Sequence, residues 1–362
     1  MTDALLKYVH ILVDMSHGAK PVPVPTVNLI FDVGAFNGGF GTGAAIYIQE
    51  LVKQGYIKVD KVSGCSIGAA IALFFICGCP ADALSHIDKI VEEYKKRPHE
   101  LKAYVDIMPA FVDAVVKTKE LEEMLFTGTP SQPHTGTPSQ PRRDELYANK
   151  ENTTDKNTTT TDDNKTKNNT MTGCHSVGLT GCPRRRKRLY INYYDTKTHR
   201  QRYISSYRDK THLVECLLRS AHIPYFTDGN ARRNDRYMDG MLPAYTFPSS
   251  PHRCLFIKLV TLRTCQYTFA VQKEPNLHFR LMTGITDAHQ FFTTGSSDMC
   301  SYVDEWNLLY SFIMRSRIFT CLLLLSLVEG ILDFAAQLPS ILKESPIFNF
   351  IVHKSKNLLL RE

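Results

Sequence analysis

The sequence has no cysteine pair at the two-residue spacing of zinc and redox sites. Its 10 cysteines (65, 77, 79, 174, 182, 216, 254, 265, 300 and 321) are scattered, and the closest two, Cys77 and Cys79, are separated by a single residue. That spread fits buried thiols in a reducing compartment better than a secreted disulfide scaffold. There is no H-x-x-H or H-E-x-x-H arrangement to hold a metal. The first twenty residues lack the apolar core of a signal peptide, being broken by Asp3, Lys7, His10 and Asp14. The longest apolar run, Ile318 to Val328, covers 11 residues before Glu329, whereas a membrane span takes roughly 20. Nor is there a large excess of one charge: of the net +7, five positive charges sit in Arg184-Arg185-Arg186-Lys187-Arg188, leaving +2 elsewhere. A uniformly basic surface for nucleic acid is therefore excluded. The expectation is an intracellular, cytoplasmic protein with transient membrane-surface association and no transmembrane span.

What is present is enough apolar material for a core. The chain has 362 residues, 43% hydrophobic, 22% charged and 10% aromatic, which excludes wholesale disorder and fibrous repeats. Leu5, Leu6, Val9, Leu12 and Val13 are spaced for a helix. Pro21, Pro23 and Pro25 then stop it, and Val27 to Phe31 reads as a buried strand. A glycine-dense loop, Gly34 to Gly43, leads into helical spacing from Ala44 to Gln54, with Gly55 as its stop. A second strand, Lys58 to Val62, a turn at Gly64–Gly68 and a helix through Phe75 complete a βαβ pattern, and the α/β class follows.

Residues 127–188 differ in composition. Thr127 to Pro133 recurs as Thr135 to Pro141, and an Asn/Thr/Asp/Lys tract runs from Asn149 to Thr170. Such a segment cannot build a core and is expected to be a disordered insertion. Its N-x-Thr triplets at Asn152, Asn157, Asn164 and Asn168 arise from composition. Beyond it, Leu189 to Tyr194 and Gln201 to Ser206 fit a hairpin, His212 to Ala221 a helix and Cys254 to Leu262 a strand. The expected organisation is an N-terminal helix and Pro-rich linker (1–25), a domain formed by 26–126 and 189–300, the insertion, and a C-terminal helical extension (301–362).

Three features carry chemistry. Gly64-Cys65-Ser66-Ile67-Gly68 is a G-x-S-x-G at a strand-to-helix turn, which presents a serine hydroxyl with a backbone N–H beyond it and a helix N-terminus behind it. Gly34-Ala35-Phe36-Asn37-Gly38 lies one βα unit earlier, so both loops open on the same sheet edge. Its amides suit an oxyanion hole; a nucleotide phosphate cradle is the competing use, but no Walker lysine or clean G-x-G-x-x-G is present. Asp239-Gly240 is either a turn or the base that a serine nucleophile needs.

Together with Ser220-Ala221-His222-Ile223-Pro224-Tyr225-Phe226, these motifs give a sequence that resembles the patatin-like phospholipase family over about 26–125 and 189–250. The resemblance implies a patatin-like three-layer α/β/α sandwich with a mainly parallel central sheet. It also implies a Ser–Asp dyad in which Ser66 is the nucleophile and Asp239 the base. Gly34, Ala35, Phe36, Asn37 and Gly38 would form the oxyanion loop, and Gly64, Gly68 and Gly240 would support the motifs. The substrate would be a phospholipid or other glycerolipid, with no cofactor and no metal. Two positions depart from the family pattern: Asn37 stands where a basic residue is usual, and Met241 where a small one follows Asp-Gly. They motivate the alternative of an inactive lipid- or protein-binding relative. A further alternative is a triad esterase using His252. His222 is expected to pack or to line the pocket. The basic run Arg184–Arg188 is read as a solvated charge run, a nuclear-localisation signal, an anionic-lipid patch or a protease site. The helix around Ile318 to Leu332 is expected to belong to the core, with bilayer docking as its alternative.

Overall fold

The strand β1 (Thr26–Phe31) alternates its side chains between two apolar environments. Val27, Leu29 and Phe31 join one buried cluster and Ile30 another, as expected of a strand covered on both faces. The computed structural model describes residues 2–18, 21–78, 86, 89, 92–93, 102–126, 188–245, 247, 250–261, 263–268 and 277–337. The insertion, apart from Arg188, lies outside the described residues, as do residues 338–362. By compactness the chain divides into Met1–Gly128 with Arg186–Glu362 as one unit and Thr129–Arg185 as another; the first is described below.

Its elements are α1 (Thr2–Ser16), β1, α2 (Gly38–Gln54), β2 (Lys58–Gly64), α3 (Ile67–Ile76), α4 (Lys102–Val115), α5 (Lys119–Leu125), β3 (Leu189–Asp195), β4 (Arg200–Ile204), α6 (Lys210–Ser220), β5 (Tyr237–Asp239), β6 (Arg253–Ile257), α7 (Leu277–Thr294), β7 (Cys300–Tyr302) and α8 (Leu308–Gln337). The sheet order is β4-β3-β2-β1-β6-β7, with β5 also pairing β3. β3, β2, β1 and β6 are mutually parallel, while β4, β5 and β7 join antiparallel. The sheet is thus parallel in the middle and antiparallel at its edges, the expected α/β/α architecture with a more mixed sheet.

On one face, α1 to α4, α6 and α7 contribute apolar stripes (Val9, Ile48, Ile71, Phe111, Leu217 and Ile285 among them) to a single buried cluster with Leu29, Phe31, Val62, Ile191 and Leu255 of the sheet. The other is covered by Phe247, Trp306 and the start of α8, with Met314 against Ile30 and Phe256. Arg188, the last residue of the basic run, donates to the carbonyls of Val59 (2.9 Å) and Asp60 (3.2 Å) along β2, so it is bonded to the fold and is not part of a solvated run.

Two expectations are corrected here. The glycine-dense segment is mostly helix: residues 35–37 form a single 3₁₀ turn and α2 begins at Gly38. Glycine's low helix propensity is overridden because the first turns of α2, Gly38 to Gly43, are buried throughout. The Ile318–Leu332 region is no core helix. It lies within the 30 residues of α8, which exposes Leu308, Phe312, Phe319, Leu323, Leu324, Leu327 and Phe334. Leu308–Ile331, with mean hydropathy 1.7, is long and apolar enough by length and composition to cross a membrane. An uninterrupted apolar run misses it because Arg315, Arg317 and Glu329 punctuate the helix.

Candidate active site

The two edge partners of β3 explain why Ser66 and Asp239 meet. β2 pairs with β3 as far as Gly64 opposite Ile191. β5 then takes over from the opposite direction and ends with Asp239 opposite Tyr193. The two chains come head to head at Asn192, whose carbonyl oxygen accepts from the Cys65 thiol (3.7 Å) and the Ser220 hydroxyl (2.7 Å).

Between β2 and α3 the chain turns so tightly that Ser66 adopts φ +57°, ψ −131°, a strained conformation for a residue with a side chain. Close approach makes both flanking glycines necessary: a Cβ on Gly64 would lie 2.2 Å from the Gly68 carbonyl oxygen, and one on Gly68 2.3 Å from that of Asp32. The elbow is fastened from outside. The Ser66 amide donates to Ser220 Oγ (2.9 Å), which assigns a physical task to the Ser220–Phe226 motif.

Asp239 is 2% exposed. Its Oδ1 accepts from the Met241 amide (2.9 Å) and the Cys65 thiol (3.4 Å), and the Ser66 hydroxyl lies close enough to stabilise its charge. Burial pushes its pKa up to about 6; the bonds from Met241, Ser66 and Cys65 oppose the shift and the charge of Asp32 adds to it. Burial keeps the Cys65 thiol protonated as a donor. Met241 takes φ +56°, which explains why a small residue is the easier choice there. The carbonyl of Gly240, between Asp239 and Met241, accepts from the Gln201 side chain.

A family model for patatin-like phospholipases matches residues 29–244. The chain belongs to this family. Comparisons with curated proteins and with solved structures gave no match. The family is one of lipid acyl hydrolases, and the matched segment contains every motif described above.

The glycine loop is held by two buried polar side chains. Asn37, fully buried, donates to the carbonyls of Leu259 (3.0 Å) and Thr264 (3.2 Å) and to Thr268 Oγ1 (3.0 Å). It ties the loop to the segment after β6. A cation reaches the loop from α7: Arg280, also fully buried, donates to the Phe36 carbonyl (2.5 Å), with Asn37 Oδ1 at 3.5 Å. Arg280 was not legible as a site residue, being 243 positions from Asn37. The amides of Phe36 and Asn37 are engaged by the carbonyls of Thr268 and Gly34. Of the expected oxyanion donors, Gly34 and Ala35 face the fewest backbone competitors, and Gly38 opens α2.

A second carboxylate borders the site. Asp32, directly after β1, is fully buried and paired with Arg317 of α8 at 2.8 and 2.9 Å. Burial raises its pKa and Arg317 opposes the rise. The sequence signal was a lone acid at the end of an apolar strand. On the same helix, Cys321 is raised by burial and by the charge of Asp239, and Leu325 packs with Met238 and Tyr194. α8 therefore runs beside the Ser66–Asp239 pair. A small cavity lined by Ile67, Ala70, Phe74, Tyr104 and Phe111 among others adjoins the residue after Ser66. Burial, with the charge of Asp239, raises the Tyr104 hydroxyl.

The remaining candidates separate cleanly. His252 precedes β6, whose Arg253 pairs with Val27 at the start of β1, while Gly64 pairs with Phe31 at its end. Four strand rises, about 13 Å, separate those levels, so His252 cannot serve Ser66. His222 is buried, which lowers its pKa; its carbonyl receives the Asp239 amide (2.9 Å), a packing role. Among the described residues no three His, Cys, Asp or Glu side chains gather as metal ligands.

Proposed function

We propose that the protein is a serine lipid acyl hydrolase of the phospholipase A or lipase type, cleaving carboxylic esters of glycerolipids through a Ser66–Asp239 dyad. The observation that supports this most is the placing of a buried carboxylate at the serine elbow: Asp239 is 2% exposed, its Oδ1 accepts from the thiol of Cys65, the residue before Ser66, and the Ser66 hydroxyl helps to stabilise its charge. Ser66 Oγ attacks the ester carbonyl carbon as its proton passes to Asp239. The tetrahedral oxyanion accepts from the Ile67 amide at the first turn of α3 and from amides of the Gly34–Gly38 loop. Collapse breaks the C–O bond, and the lysolipid or alcohol leaves with the proton from Asp239. Asp239 then deprotonates water, which hydrolyses the acyl-enzyme and regenerates Ser66. The apolar cavity beside Ile67 offers a seat for the start of the acyl chain. No step calls for a cofactor or metal.

Fatty-acid release from phospholipid vesicles, with calcium chelated, tests the proposal. Ser66→Ala and Asp239→Asn should each lose on the order of 10⁴ in kcat while staying folded, and full activity in either would refute the dyad. The engaged Phe36 and Asn37 amides favour a second reading, a binding protein that has lost catalysis. Covalent labelling of Ser66 by a fluorophosphonate would exclude it.

A further inference from the structure

We propose that α8 is a bilayer-docking helix whose outer apolar face lies in the lipid surface while its inner face borders the dyad. On a helix of 3.6 residues per turn, Phe312, Phe319, Leu323, Leu327 and Phe334 fall within roughly an 80° arc. They are 59–68% exposed, on a helix that also exposes Leu308, Leu309, Leu324 and Ile331. So much contiguous apolar surface is unusual on a protein bathed only by water. The charges of α8 are placed elsewhere: Arg317 is bonded to Asp32 and Glu329 to Arg232 (2.7 Å), and Arg315 and Asp333 stand at one border of the arc.

The pattern decides between lying on and crossing a membrane. The two ion pairs are twelve residues apart, about 18 Å along the axis. Between them Cys321 and Leu325 face Asp239 and Met238. The helix is therefore fastened along its length to the catalytic unit, with one side left for a partner. That is the geometry of an interfacial helix with a large apolar face. A lipid surface fits it better than a second protein because of what lies on the inner side: the site whose substrate, on the reading above, has its acyl chains in a bilayer. A helix shared by the two places a lipid ester near Ser66 without carrying it through water. This inference rests on that reading for its choice of partner.

The experiment uses full-length protein in flotation with mixed phosphatidylcholine–phosphatidylserine vesicles. It is performed in the Ser66→Ala background, so that failure of the hydrolytic reading leaves the binding result intact. Ser66→Ala should float with the vesicles and be released by alkaline carbonate. The further replacements Phe312→Ser, Phe319→Ser, Leu323→Ser and Leu327→Ser should lower the floated fraction at least tenfold without changing circular dichroism. With Ser66 restored, the same face variant should lose vesicle hydrolysis at least tenfold and keep hydrolysis of a water-soluble short-chain ester. The single change Leu323→Lys is a gentler second variant with the same expected direction. Equal flotation of intact and altered faces would overturn the proposal. So would resistance to carbonate, which would make α8 a spanning helix, or a dimer dissociated by the face variant with flotation unchanged, which would assign the face to a second copy.

Discussion

Asp239 holds a carboxyl in competing environments: burial raises its pKa to about 6, while the Met241 amide and the Ser66 and Cys65 side chains stabilise the charge. Two consequences can be measured. As a base it must be ionised, so kcat/KM should rise with pH through about 6 and level off above it; a flat profile from pH 5 to 8 would remove Asp239 from that role. The second concerns stability. An acid whose folded pKa lies above its unfolded value costs stability once the pH exceeds the unfolded pKa, and in full above the folded one. Asp239→Asn keeps an acceptor for the Met241 amide and removes the charge, so above pH 7 it should raise stability by about 1–3 kcal/mol, with the gain vanishing near pH 4. Denaturant unfolding at both pH values checks this. Arg280 acts at one remove, through the Phe36 carbonyl. Arg280→Met should lower kcat about 100-fold by displacing the loop while leaving KM nearly unchanged; an equal effect on both would mean that it merely supports the fold.

Among elements, legibility follows the range of the forces involved. β1, β2, α3 and the elbow were readable because each is a short local pattern closed by a steric demand, as at Gly64 and Gly68. The start of α2 was not, since burial against α7 outweighs the propensity of its glycines. α8 was misread for the opposite reason: leucines usually mean core, and the sequence carries no mark of which face lacks a neighbour. The Ser66–Asp239 pair was legible through its motifs, but the residues around it were not. Asp32 and Arg317 are 285 positions apart, and nothing local announces their pairing. Because Asp32 is fully buried, Arg317→Ala leaves an uncompensated charge and should cost about 3–5 kcal/mol, whereas the paired change Asp32→Asn with Arg317→Met should recover much of it. Additive losses in that cycle would show that the two residues do not interact.

For the whole molecule, the segment 127–187 enters between α5 and β3, yet β3 still pairs with β2. Deleting 127–183 should leave the cooperative thermal transition within a few degrees of the intact protein; its collapse would show that the segment is part of the fold. The reason lies in chain statistics. The segment roughly doubles the length of chain that must be closed for Gly64 to find Ile191, and the entropy of closure grows only with the logarithm of chain length, so a doubling costs about 0.6 kcal/mol. A sheet whose central pairing spans such a gap can accept, lengthen or lose sequence there at almost no thermodynamic penalty, and the repeated Thr-Gly-Thr-Pro-Ser-Gln-Pro units at Thr127 and Thr135 are what unopposed duplication at such a place would leave behind.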